Sequence, residues 1–317
     1  MNIGGLAGTA RYIADSYSEK IEVRAYGGDR AGGIVGTTYL PVSAGGKLGD
    51  LPSDLVIRCW SSGIVSGGNK LGGIIGTNFG HVADSYSLAY VFSDYTGRYD
   101  VGGIIGTNWY GSASGCYSMS NIYGTSQSSF GVTPFYACYA PYQSTQFGGS
   151  GVTAFGNGSE RIQASYANFD FTNTWWMKEG YTRPMLRSEH RKYIRNSHEL
   201  QLAELNRGGS YHLLYDLDLT NELIDNLAYY RNIWSGKGFV PIGNTQSGFT
   251  GSFNGDGRII NSLTIDSPSD DNVGLFGLVT GGLISNITLT NASVRGNAAV
   301  GQLVGQNSGG TISQAHT

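Results

Sequence analysis

The sequence predicts an all-β solenoid of stacked parallel strands, joined to a small α+β connecting module. Three observations carry this: a repeated glycine step, a repeated aromatic step, and turn residues too dense for helices. The glycine step reads IGGLAGT (3–9), AGGIVGT (31–37), LGGIIGT (71–77) and VGGIIGT (101–107), and returns more loosely as VGLFGLV (273–279) and VGQLVGQ (300–306). The aromatic step reads DSYS (15–18), CWSS (59–62), DSYS (84–87), CYSM (116–119), CYAP (138–141) and SYAN (165–168). Its aromatics, Tyr17, Trp60, Tyr86, Tyr117, Tyr139 and Tyr166, fall 43, 26, 31, 22 and 27 residues apart. Repeats of this length mark units that bury a core only by stacking.

Glycine accounts for 50 of 317 residues, against about 7% in an average chain. Each would cost a helix about 1 kcal/mol, which excludes helical hairpins. The apolar pieces are short and bounded by Gly, Asn, Ser and Asp, so they read as strands. One unit makes a coil of short strands, and coils stack about 4.8 Å apart. The insertion at 38–54, rich in Gly and Pro, reads as a loop bulging from one coil.

The glycine pairs are expected to adopt positive φ and to corner tightly with no Cβ between coils. Thr9, Thr37, Thr77 and Thr107 follow them in register, and Asn78 and Asn108 follow two of them, an arrangement suited to hydrogen-bonded ladders. A flat threonine face that orders ice needs a broader two-column array than the sequence holds. Cys59, Cys116 and Cys138 precede the repeat aromatic where Ser16, Ser85 and Ser165 stand elsewhere, so this slot wants a small side chain; free Cys packs as a small hydrophobe. A Cys116–Cys138 disulfide between neighbouring rungs is the alternative. Aligning VADSYS (82–87) with ISNITL (284–289) turns the Ser/Cys slot inward and the aromatic outward by strand alternation. An off-by-one alignment would instead stack the rings in the core. Outward rings would form a binding ladder of Tyr17, Trp60, Tyr86, Tyr117 and Tyr139, suited to sugars or a protein partner.

Residues 1–171 form a first solenoid block, 172–232 the connecting module and 233–317 a second block. Segments 130–140 and 150–167 read as degenerate coils. Residues 172–209 hold seven of the twenty Lys and Arg. Within them Asn196 and Glu199 suggest a capping box for one short helix, 197–206, stopped by Gly208. The basic cluster Arg187, Arg191, Lys192 and Arg195 reads as a solvated surface. The two ends of the chain are in phase, as pieces of a longer array would be.

A net charge of -3 gives no nucleic-acid footprint. No apolar run of about 18 residues is present for membrane insertion, and Met1 is followed directly by a repeat motif rather than a leader. His198-Glu199 lacks the second histidine of a zinc helix, and Asp256 lacks the spaced acids of a calcium loop. Asp15 and Asp84 occupy equivalent slots and read as corner residues. No catalytic residue, metal or cofactor is indicated.

The stretches LGGIIGTNFGHVADSYS, VGGIIGTNWYGSASGCYS and VGQLVGQNSGGTISQAHT resemble the GLUG motif of bacterial surface proteins. GFVPIGNTQSGFTGSFNGDGRIINSLTI, followed by VGLFG, is similar to the segment preceding it in filamentous-haemagglutinin-like adhesins. The resemblance implies a right-handed parallel β-helix from a secreted or surface-attached adhesin. Such a segment would serve as stalk and binding face for a host glycan or surface protein, packed against neighbouring repeats of its parent chain. The alternatives are a carbohydrate-active β-helix enzyme and a purely structural spacer.

Overall fold

The computed structural model describes residues 1–26, 30–39, 55–94, 100–109, 111–123, 135–136, 138–140, 152–155, 158–223 and 232–317. It divides into two compact units, Met1–Asp170 and Phe171–Thr317. The insertion loop expected at 38–54 lies, from residue 40 onward, outside the described residues.

In the first unit, equivalent strands of consecutive repeats pair in parallel. One sheet holds Asn2–Gly4, Arg30–Gly32, Lys70–Gly72 and Asp100–Gly102. A second holds Ala7–Ala10, Val35–Thr38, Ile75–Asn78 and Ile105–Asn108, with Thr9, Thr37, Thr77 and Thr107 in register. A third runs from Tyr12–Ala14 through Leu55–Ile57 and His81–Ala83 to Ser112–Ser114 and Phe135–Tyr136. The fourth carries the aromatic step, pairing Tyr17 with Trp60, Trp60 with Tyr86, Tyr86 with Tyr117 and Tyr117 with Tyr139. Each repeat thus supplies one tier, or rung, to every sheet. Between the sheets lie Ile34, Val35, Val56, Cys59, Ile74, Ile75, Val82, Ile105, Ala113 and Cys116, all buried.

Close approach is what makes the glycine step necessary. A Cβ on Gly33 would stand 2.1 Å from the Gly73 carbonyl oxygen, and one on Gly73 would stand 2.1 Å from the Gly103 oxygen and 2.2 Å from Ser87 Oγ. The positive φ expected of these glycines belongs instead to the corner before the Ser/Cys slot: Asp15 (50°), Arg58 (50°), Asp84 (45°) and Gly115 (60°). Short polar residues tolerate that region. Arg58, which does not favour it, is held by a two-pronged ion pair to Asp15, Nε to Oδ1 at 2.6 Å and Nη2 to Oδ2 at 2.7 Å.

The Ser/Cys slot points into the core, as alternation predicts. Ser85 Oγ donates to the Ala83 carbonyl at 2.7 Å and accepts from the Cys59 amide at 3.1 Å. Burial pushes the Cys59 thiol up to about 11. Native Cys59 should therefore resist a thiol-specific disulfide reagent at pH 8 and react only once urea opens the unit, because the thiolate is the nucleophile. Labelling followed by peptide mapping reads this, and fast native labelling of Cys59 would contradict it. Cys116 Sγ lies 3.2 Å from the Ser114 carbonyl oxygen, whereas the Cys138 side chain of the alternative disulfide lies outside the described residues.

In the second unit, Asn196 Oδ1 accepts the Glu199 amide at 2.9 Å and caps Ser197–Gln201. The helix tightens to 3-10 over Leu202–Asn206. The capping box is half formed: the Glu199 carboxylate reaches back to the Arg195 amide at 2.7 Å rather than to Asn196. Within the stretch expected as a connecting module, Ser210–Leu213 and Leu217–Asp218 pair in parallel with Ser252–Asn261, which continues to Leu283–Thr290 and Thr311–His316. Such pairing shows no periodicity before 233 for a sequence reading to find. Trp175, Trp234, Phe239, Phe249, Phe253 and Phe276 fill the interior. Part of the basic cluster is structural: Arg187 donates to the carbonyls of Trp175 (3.0 Å) and Phe171 (3.1 Å).

Burial raises the pKa of Glu199 above its ordinary value, against the lowering effect of Arg195 and Arg191. A carboxyl that holds its proton more tightly when folded makes stability fall as pH rises through its unfolded pKa, until the raised value is passed. Glu199→Gln keeps an acceptor for the Arg195 amide and loses this slope. Urea titrations at pH 4 and pH 7 should show the variant gaining on the parent as pH rises. A gain by the parent would contradict the assignment.

Candidate binding face

The aromatic ladder predicted from the sequence exists as a stack, and it is covered. Ring centroids lie 5.0 Å apart for Tyr17–Trp60, 5.7 Å for Trp60–Tyr86 and 5.1 Å for Tyr86–Tyr117, with interplanar angles of 11°, 6° and 1°. Ser85 and Ser87 flank Tyr86 and face the core and the glycine step, so the ring takes the opposite side of its strand. The solvent-facing placement expected from alternation does not hold for the middle rings. Trp60 is 2% accessible, Tyr86 and Tyr117 are 0%, and Tyr17 is half-buried. Tyr166 stands edge-on to Tyr117 at 6.0 Å, with Phe155 and Phe169 each 5.0 Å from Tyr166. Tyr139 is in backbone register with Tyr117, and its side chain lies outside the described residues. Rings that admit no solvent cannot stack on a ligand, so Trp60, Tyr86 and Tyr117 do not form the predicted face.

A different aromatic row is exposed. It follows the Thr-Thr and Thr-Asn steps at the corner between the second and third sheets: Tyr39, Phe79 and Trp109, one per rung on three successive rungs. An amide ladder positions them. Thr38 Oγ1 donates to Asn78 Oδ1 and Asn78 Nδ2 to Asn108 Oδ1, both at 3.0 Å. The Phe79 amide donates to Thr38 Oγ1 at 2.8 Å and the Trp109 amide to the Asn78 carbonyl at 3.1 Å. The buried ladder leaves its next side chain outside: Tyr39 is 49% accessible, Trp109 51%, and Phe79 part-exposed.

Cations stand beside this row. Arg11 occupies the same corner position on the first rung, directly before the exposed Tyr12. Arg30 and Lys70 are in register on the second and third rungs of the adjoining sheet. The Lys70 Nζ lies 5.6 Å over the Trp109 ring, a cation–π geometry. Asp100, in register on the fourth rung, accepts from Thr107 Oγ1 at 2.6 Å. His81, two residues beyond Phe79, has Nδ1 2.6 Å from Ser112 Oγ and Nε2 3.1 Å from Ser114 Oγ. Burial lowers its pKa, so it is neutral at pH 7. The arrangement offers ring faces and positive charge, which bind rather than react. Among the described residues no three His, Cys, Asp or Glu side chains gather for a metal, and no helix is long and apolar enough to cross a membrane. A sequence reading misses the row because its residue type changes at every rung. The available signal was an aromatic after each of TT, TN and TN.

No family model matches the chain. Halomucin of Haloquadratum walsbyi is 43% identical over 108 residues, which is 32% of this chain and 1% of halomucin. A protein of Evansella cellulosilytica named "Putative Gly-rich membrane protein" is 35% identical over 109 residues, 33% of this chain and 12% of that protein. The chain thus spans a small fraction of the length of these curated relatives. No solved structure matches.

Proposed function

We propose that the chain is a non-enzymatic stalk segment of a secreted or surface-attached protein, built as a right-handed parallel β-helix of GLUG-type repeats. One observation carries the reading: equivalent residues of successive repeats pair in parallel and in register in four separate sheets. Stacking of that kind extends a chain along one axis while each unit contacts only its neighbours. The names of the two matched relatives, halomucin and a Gly-rich membrane protein, agree with a place at a cell surface. An adhesin role in the parent protein is the wider form of the same reading, without the covered tyrosine ladder as its binding face.

Two measurements test it. X-ray diffraction from crystals of the whole chain should show the rungs of the first unit stepping by about 4.8 Å. Incubation with acidic and neutral polysaccharides should release no new reducing ends. Rungs without that step would overturn the β-helix, and product release would overturn the non-enzymatic reading in favour of a carbohydrate-active enzyme.

A further inference from the structure

We propose that the corner row Tyr39, Phe79 and Trp109, with Arg11, Arg30 and Lys70 beside it, binds a carboxylated polysaccharide whose uronate sugars lie along the rungs. The proposal extends the surface-segment reading and supplies it with a ligand class.

Three features argue for this occupant. The rings recur once per rung, so their backbone attachment points step by about 4.8 Å. That step suits a polymer of flat-faced rings, since one sugar face can rest on each aromatic. The rings are part-exposed or exposed, and the Trp109 ring has a cation over it. The cations also come one per rung, with Arg30 and Lys70 paired in register. A single positive charge per rung matches a single carboxylate per sugar.

The same chemistry, rings beside cations, also suits single-stranded nucleic acid, which stacks bases and tracks phosphates. Charge decides between them. Nucleic-acid affinity comes mainly from many phosphate contacts made by a strongly basic surface. Here two cations, Arg30 and Lys70, share a sheet with Asp100, Arg11 stands apart at the corner, and the chain as a whole carries -3. A carboxylated glycan, held by the ring faces as well as by these few charges, is the better fit.

Calorimetry of the whole chain with an oligogalacturonate probe tests this, with neutral dextran and a thymidine oligonucleotide as competitors. Binding to the uronate should appear at low ionic strength and weaken as salt rises. Trp109→Ala combined with Tyr39→Ala should weaken it tenfold or more, and Lys70→Gln alone several-fold. All three residues lie at the surface, so thermal melting of these variants should match the parent. Absence of uronate binding, equal affinity for dextran, preference for the oligonucleotide, or unchanged affinity in the double variant would each overturn the proposal. None of these results alters the rung spacing expected from diffraction, so the stalk reading stands or falls separately.

Discussion

Gly73→Ala is expected to destabilise the first unit by about 3 kcal/mol or more, at the upper end of what overpacking costs. The new methyl would meet the Gly103 carbonyl oxygen at 2.1 Å and Ser87 Oγ at 2.2 Å. Ser87 cannot retreat freely. It is fully buried, and its Oγ is engaged by Ser61 at 3.2 Å and Ser120 at 3.0 Å. The backbone of the next rung would have to move instead, and with it the register of two sheets. Backbone strain adds nothing to this cost, since the positive φ lies at Asp84 rather than at Gly73. Chemical denaturation of parent and variant measures the loss. A change below about 1 kcal/mol would mean that the rungs can separate locally, contrary to the close packing of protein interiors.

Tyr86→Ala should cost about 3–5 kcal/mol, the range for deleting a large buried aromatic. Tyr86 is fully buried between Trp60 at 5.7 Å and Tyr117 at 5.1 Å, so truncation opens a void in the middle of the stack. The matching control is Tyr39→Ala, which removes a half-exposed ring and should stay within about 0.5 kcal/mol. The pair of melts separates two readings of one residue class. A small loss at Tyr86 would indicate an exposed ladder, and a large loss at Tyr39 would indicate that the corner row is structural.

Local rules carried much of the architecture. The glycine step, the Ser/Cys slot and the Asp15 and Asp84 corners were legible because each recurs from repeat to repeat. Asn196 was legible as a cap because capping depends on four consecutive residues, Asn196 to Glu199. Properties that depend on distant packing were not legible. Alternation pointed to an exposed Tyr86, and nothing near it in sequence tells that its ring is buried or that Tyr166, Phe155 and Phe169 pack at the end of its stack. Likewise, the pairing of Tyr211 with Phe253 joins a stretch with repeats to one without. The exposed row was hidden for a third reason: its residues share only aromaticity, while the Thr and Asn before them repeat by type.

The in-register pairing has a consequence at the level of the gene. Leu71 and Val101 occupy the same position on adjacent rungs, as do Thr77 and Thr107. Recombination between the two copies of the glycine motif would delete or duplicate one whole tier in frame. Every remaining glycine would still face a serine, and every corner would still meet a corner. Length in such a chain is a heritable variable that misaligned crossing-over can change in whole steps, leaving the packing rules of the remaining tiers as they were.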